Sequence, residues 1–300
     1  MPFRNRKLEA GDRQAHTKMS TAPLTLLAVL AHPDDETFGT GGTLALYASR
    51  GVAVHVVCAT RGEVGMVTPE MLHGHASVAE LREEELRCAG IHLGLAGVHF
   101  LGYRDSGMAG SPDNDHPQAL VRAPVEDVAA RVLVWIRKLR PQVVITFDPV
   151  GGYHHPDHIH IHKATVRAFH AAGDPSVEAE SLPPHTPEKL YFHTFPRASL
   201  RVYLRLMQLV GKSTRVGKNQ DIDLLELAND RYPVHARIDI RPVADRKRLA
   251  SACHASQQMP IRGIARFLMR FADGHETYMR AHPPAPPRLR EHDLFEGVAG

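Results

Sequence analysis

His32-Pro33-Asp34-Asp35-Glu36 follows directly on the apolar run Leu24–Leu30, which places one imidazole and two adjacent carboxylates where a buried strand gives way to a loop. A second cluster, His154-His155-Pro156-Asp157-His158, lies beyond another apolar run, Val143–Phe147, with Asp148 and a Gly151-Gly152 turn between. Imidazole nitrogen and carboxylate oxygen are donors that a borderline cation such as zinc accepts, and a catalytic site keeps one position open for water. Acids beside such ligands take protons or orient the ligands. Either cluster alone is a weak signal, because Asp-Asp at a strand end also binds magnesium or caps a helix. Two of them at two strand ends predict a single ion held between.

The elements that would position these groups read as an alternation of apolar runs and amphipathic stretches, the pattern of βαβ units around a parallel sheet. Strands are expected at Leu24–Leu30, Val52–Ala59, Val98–Leu101, Val143–Phe147, Leu190–Phe195 and His235–Ile240. Helices are expected at Gly42–Arg50, Val78–Leu93, Val125–Leu139, Asp157–Ala172, Leu200–Val210 and Pro242–Gln258, with a short one near Leu224–Leu227. In Val125–Leu139 the apolar residues Val128, Val132, Trp135 and Leu139 recur at helical spacing. The fold class is α/β, Rossmann-like: a mostly parallel twisted sheet with helices on both faces and its site at the carboxyl ends of the strands. Residues 1–20 carry five basic side chains and no apolar stretch, so they read as a disordered basic arm rather than a signal peptide, and Met19 offers an alternative start. Residues 21–285 read as one domain with a variable C-terminal portion, and 286–300 as an irregular tail.

Charge excludes little except a nucleic-acid footprint. The 300 residues hold 36 basic and 33 acidic side chains, a net of +3. Histidine, at 21 copies, is the compositional outlier. Cys58, Cys88 and Cys253 are odd in number and lack a CxxC pair, so neither a disulfide framework nor a thiolate zinc site is expected, and a reducing cytoplasm fits. No stretch reads as a membrane span, and the state of oligomerisation, homo-oligomers included, is left open.

Ala31 to Glu36 and His155 to His158 resemble the paired signatures of the PIG-L/LmbE-like metal-dependent N-acetylglucosaminyl deacetylases. The likeness covers about the first 170 residues and extends to Thr60-Arg61-Gly62-Glu63, Tyr103-Arg104-Asp105-Ser106-Gly107-Met108 and Gly151-Gly152-Tyr153. These segments are most similar to the branch that holds the mycothiol-pathway deacetylase and the mycothiol-conjugate amidase. The resemblance implies zinc, or iron(II) or another divalent ion, on His32, Asp35 and His158. It makes Asp34 the general base toward water; the rival assignment exchanges Asp34 and Asp35, and spacing alone does not choose. Glu36 reads as a helix-start charge or an acceptor behind the ligands.

His155 is the expected stabiliser of the oxyanion or proton donor to the leaving amine, with Asp157 placed to orient it and favour its cationic form. Tyr153 would add a hydroxyl donor, or else is a surface loop tyrosine. His162, one turn after His158, could replace it as a ligand or pack within the helix. Arg61, Arg104 and Asp105 flank strand ends and would bind a small-molecule amino sugar, with salt bridges or turn caps as their structural alternative. His254 would reach the pocket rim or pack in its helix. Between Val64 and Glu80 there is no Arg or Lys, where the resemblance leads one to expect a substrate-contacting arginine.

The expected activity is thus hydrolysis of the N-acetyl amide of an N-acetylglucosamine-type sugar or conjugate. A neighbouring reading is an amidase for a larger thiol-sugar conjugate. A reading from another class, a nucleotide-binding oxidoreductase or a metal-binding module without turnover, rests on the Gly39-Thr40-Gly41-Gly42 turn alone. That turn matches G-x-G-x-x-G poorly, since Leu44 occupies the third glycine position. Its plainer role is to let a helix approach the sheet.

Overall fold

The computed structural model describes residues 23–194, 232–258 and 274–299 and parts of 201–230. The basic arm and part of the helix expected at Leu200–Val210 lie outside the described residues.

Five apolar runs become parallel strands: β1 (Thr25–Leu30), β2 (Ala53–Thr60), β3 (Gly97–Tyr103), β4 (Val143–Phe147) and β5 (Lys189–Thr194). They stand in the order β3-β2-β1-β4-β5. β1 and β4 are buried along their whole length, which is why they read as unbroken apolar runs rather than alternating ones. Chain direction across the sheet reverses between β1 and β4, and that switch point is where open α/β sheets leave a crevice for ligands. Both His/Asp clusters emerge there.

The crossover segments start and stop where their sequence dictates. Helices α1 (Asp35–Phe38) and α2 (Gly41–Ser49) follow β1. Helix α3 (Val78–Leu93) begins with Ser77 accepting the Glu80 N–H at 3.2 Å and ends on left-handed Gly94. Helix α4 (Val125–Leu139) buries Val128, Val132 and Ile136. After β4 come α5 (Gly151–His154) and α6 (Pro156–Ala171), the latter with proline at its first position.

The C-terminal portion departs from expectation in two ways. Beyond a small hairpin, β6 (Arg215–Val216) with β7 (Ile222–Asp223), and α7 (Leu224–Asn229), strand β8 (Ala236–Asp239) joins the main sheet only through β9 (His275–His282). β9 runs antiparallel to both β5 and β8, a strand absent from the sequence reading. Its sequence, His-Glu-Thr-Tyr-Met-Arg-Ala-His, shows no apolar run, and one of its buried positions is the charged Glu276, which masks it. The helix expected over Pro242–Gln258 is shorter, α8 (Ala244–Cys253), with 3₁₀ turns on either side.

A disulfide joins Cys88 on α3 to Cys253 on α8, with Cα atoms 5.8 Å apart, contrary to the cysteine arithmetic. A separation of 165 positions hides the pair from any spacing rule. Cys58 is buried and free. Among the described residues no helix is long and apolar enough to cross a membrane.

Candidate metal centre

The turn after β1 is built around an uncommon backbone. Asp34 sits at φ 111°, ψ −30°, a conformation L-residues seldom adopt and one that clusters at functional sites. Its consequence is that two adjacent carboxylates face different ways. Asp35 folds back to accept the His32 N–H at 2.8 Å, and its oxygens lie 3.6 Å from His32 Nδ1 and 3.4 Å from His158 Nε2. Asp34 turns to Arg82, whose Nη2 donates to it at 3.0 Å. Glu36 is buried, accepting the Asp34 N–H at 2.9 Å and meeting His254 Nε2 at 2.7 Å.

The second cluster arrives from the far side of the switch point. Gly151, at φ 66°, leaves no room for a Cβ, which would fall 2.7 Å from His158 Cβ. Its carbonyl meets His158 Nδ1 at 3.1 Å, so Nε2 is the nitrogen left facing inward, 3.2 Å from His32 Nδ1. Phe147 stacks on the same ring at 3.9 Å. His155 caps α6: its Nδ1 accepts the Asp157 N–H at 3.2 Å.

Three donors therefore converge from two strand ends, with His32 Nδ1, His158 Nε2 and the Asp35 carboxylate separated by 3.2, 3.4 and 3.6 Å. Ligands about 2.0–2.1 Å from a tetrahedral ion would stand about 3.3 Å from one another, so the spacing fits such an ion. His32 Nε2 faces Asp157 Oδ2 at 3.1 Å and Asp105 Oδ1 at 3.5 Å. A proton on Nε2 satisfies those carboxylates and leaves the Nδ1 lone pair for a cation. Asp157 Oδ1 is buried without a hydrogen-bond partner among the described residues.

Electrostatics agree with that charge balance. Burial alone would depress His32, yet Asp105, Asp157 and Asp35 overcome it and raise its pKa well above the ordinary value. Burial would raise Asp35, but His158 and His32 hold it well below the carboxylate range. Asp34 goes the other way: burial pushes it up to about 7, against the pull of Arg82. Burial lowers His158 to about 4 and His155 to about 3, the latter also through repulsion from His32 and His158.

Several assignments made from sequence change on this geometry. The Asp157 carboxylate faces His32, not His155, and also accepts the Ser106 N–H at 2.9 Å. His155 accepts a backbone N–H at Nδ1, so that nitrogen carries no proton, and its pKa is lowered to about 3; Nε2 is the nitrogen left to donate. Asp105 is buried among His32, the Gly107 N–H at 2.8 Å and the Val64 N–H at 3.3 Å, so it supports His32 rather than offering itself to a sugar. Arg61 pairs with Glu83 at 3.2 Å and Arg104 with Asp113 at 2.8 Å. His162 hands Nδ1 to the Phe147 carbonyl at 2.7 Å and packs on Phe192. His254 is fully buried rather than at a rim. Tyr153 sets its ring edge-on to His158 at 5.0 Å, and burial keeps its phenol protonated far above neutrality.

Arg82 escaped the sequence reading. Besides Asp34 it bonds the carbonyls of Pro33 and Gly62, tying the metal turn to the loop after β2. Its signal was weak: one arginine in the charged run Arg82-Glu83-Glu84-Glu85, which looks like a solvated helix face although Arg82 and Glu85 are buried.

The phosphate reading of the glycine turn fails on one contact. The Gly42 and Thr43 N–H groups, where an anion would dock on α2, already donate to the Glu276 carboxylate at 2.9 and 2.7 Å. A Cβ on Gly42 would also fall 2.6 Å from the Ile240 side chain, so the glycine serves close packing.

With this geometry in place, comparison with known proteins decides the family. Residues 27–169 match the family model PIG-L, GlcNAc-PI de-N-acetylase. The chain is 37% identical, over 91% of its length and 95% of the relative's, to a 1D-myo-inositol 2-acetamido-2-deoxy-alpha-D-glucopyranoside deacetylase of Acidothermus cellulolyticus. The chain belongs to the PIG-L family. A deacetylase of the same name from Geodermatophilus obscurus is 39% identical over 92% of this chain and 98% of its own. Among solved structures, the N,N'-diacetylchitobiose deacetylase of Pyrococcus horikoshii superimposes with a TM-score of 0.58 over 85% of this chain and 83% of its own; at 20% identity that likeness speaks for the fold.

Proposed function

We propose that this PIG-L family member is a zinc-dependent N-deacetylase acting on an N-acetylglucosaminyl-inositol or a closely related amino-sugar conjugate. The observation that carries the reading is the convergence of His32, Asp35 and His158 beside an Asp34 held for proton transfer. Relatives at 37% and 39% identity, each spanning nearly its full length, carry the name of that activity.

His32, Asp35 and His158 would hold the ion, and when bound it would polarise the amide carbonyl and acidify the attacking water. The chain's own groups supply the rest. Asp34, held near pKa 7 and anchored by Arg82, takes the proton of the attacking water and returns it to the leaving nitrogen. Neutral His155 donates from Nε2, and Tyr153 from its hydroxyl, to the oxygen that gains negative charge as the carbonyl is attacked. Collapse breaks the C–N bond and gives acetate and a free amine.

The test is turnover of N-acetylglucosaminyl-inositol by zinc-loaded protein, with both products measured. Equal release of acetate and amine is the expected result. Release of a larger carboxylic acid from a thiol-sugar conjugate, with no acetate from the acetylated sugar, would move the reading to the amidase; the lack of Arg or Lys between Val64 and Glu80 is the feature that would then matter.

A further inference from the structure

The two helices that hold Asp34 in place are joined covalently. Arg82, Glu85 and Cys88 lie along α3; Cys253 closes α8 and is followed by His254 and Ser256. Next to the Cys88–Cys253 bond, the Ser256 N–H and hydroxyl donate to the Glu85 carboxylate at 2.8 and 2.7 Å. One turn earlier on α3, Arg82 grips the Asp34 carboxylate. Immediately after Cys253, His254 grips Glu36, which in turn accepts the Asp34 N–H. Both the side chain and the backbone of Asp34 are thus restrained through the helix pair that the sulfurs clasp.

The sulfurs are also within reach of solvent. Cys88 and Cys253 are half-buried and line a cavity with Met71, His73, His75, Leu81 and Glu84, whereas Cys58 is sealed in the core. Thiol–disulfide exchange requires such access for an attacking thiolate.

We propose that Cys88–Cys253 is a reversible thiol-exchange site whose oxidation state sets how firmly Asp34 is held. A small dithiol attacks one sulfur, the S–S bond breaks and a mixed disulfide forms. The reagent's second thiol then closes on the first, so two electrons and two protons pass to the cysteines and the reagent leaves as its own disulfide. In the oxidised protein the strap fixes α3 against α8. In the reduced protein the Glu85–Ser256 bonds and apolar packing hold the pair alone, and the partners of Asp34 gain freedom. The role of this motion in catalysis rests on Asp34 acting as the base.

The experiment compares oxidised full-length protein with protein reduced by dithiothreitol and desalted, alongside Cys88→Ser and Cys253→Ser. Thiols are counted by alkylation and mass, metal content is measured, and hydrogen exchange is followed in the segment 31–40. Reduction should lower kcat about three- to tenfold, well short of the hundredfold that an ångström of misplacement costs. Metal content should hold, exchange in 31–40 should rise, and each serine variant should match the reduced state and ignore dithiothreitol. Two cysteines titrating as thiols with kcat and exchange both unchanged, or serine variants that still respond to the dithiol, would overturn the proposal. Absence of deacetylation in both states would instead count against the substrate reading, and the exchange comparison would still decide the strap.

Discussion

Among the described residues, every carboxylate and imidazole that faces the His32 ring comes from the parallel strands and their loops before Ala171, whereas the segments beyond β5 reach the site through intermediaries. His254 touches Glu36, which touches Asp34. Glu276 holds the start of α2, the helix that follows the metal turn. The two regions divide the work: the parallel half carries the donors, and the C-terminal portion fixes the turn that aims them. Disturbing the first should cost the chemistry outright; disturbing the second should cost precision or stability.

The sharpest break of that division is within one helix. His158→Ala removes an inward donor and should empty the metal site and abolish turnover, a loss larger than the about 10- to 100-fold that removal of a supporting partner brings. His162→Ala, one turn on, removes only a packed ring bonded to a carbonyl, so metal content by elemental analysis should stay near that of the parent. The opposite outcome would shift the ligand register by a turn.

A smaller effect separates base from ligand. Asp34→Asn should keep the metal and lose about 100- to 10,000-fold in rate. Burial raises the Asp34 carboxyl to about 7, and a base must be ionised, so activity should climb as pH rises toward that value; the charge of a bound dication moves the limb lower. Arg82 opposes the rise, so Arg82→Gln should push the acid limb to higher pH. His155 is held neutral with a pKa near 3, so His155→Ala should cut kcat without displacing an alkaline limb. A displaced alkaline limb would restore the cationic histidine.

The same division explains what could be read from the sequence. β4, α3 and α4 were legible to the residue because their signals are local: apolar run, amphipathic stretch, helical recurrence. The clusters at 32–36 and 154–158 announced themselves because one loop carries several donors. What Asp157 and Asp105 do was not legible, since the sequence suggested His155 for the first and a sugar for the second, while the fold delivers both to His32 across 125 and 73 positions. Arg82, the Cys88–Cys253 bond and β9 failed for a like reason. Their partners lie far along the chain, and local pattern assigns buried charges such as Arg82 and Glu276 to a solvated face.

Glu276→Gln sharpens the comparison from the supporting side, with the smallest expected effect on activity. Its buried carboxylate accepts the Gly42 and Thr43 N–H groups and, at 2.8 Å, the partly exposed Lys247 ammonium. A glutamine keeps the shape, but its NH₂ faces donors and the charge opposite Lys247 is gone. Hydrogen bonds to charged groups contribute about 1.5–3 kcal/mol, so the melting temperature should drop by roughly 3–12 °C at neutral pH. Burial would raise the Glu276 carboxyl, but Lys247 and the Thr43 contacts outweigh it and hold it low. A carboxyl depressed in the fold stabilises above its unfolded value, about 4.3, and loses that contribution as pH falls through the folded one. The difference in melting temperature between parent and variant should therefore be full at pH 6–8, on the order of the drop above, and shrink on acidification below about pH 4. Activity per bound metal should stay within about twofold of the parent, since Glu276 meets none of the donor atoms around His32. Loss of metal from this variant at a temperature where it remains folded would show that the C-terminal portion shapes the site itself, and the division between donors and support would fall.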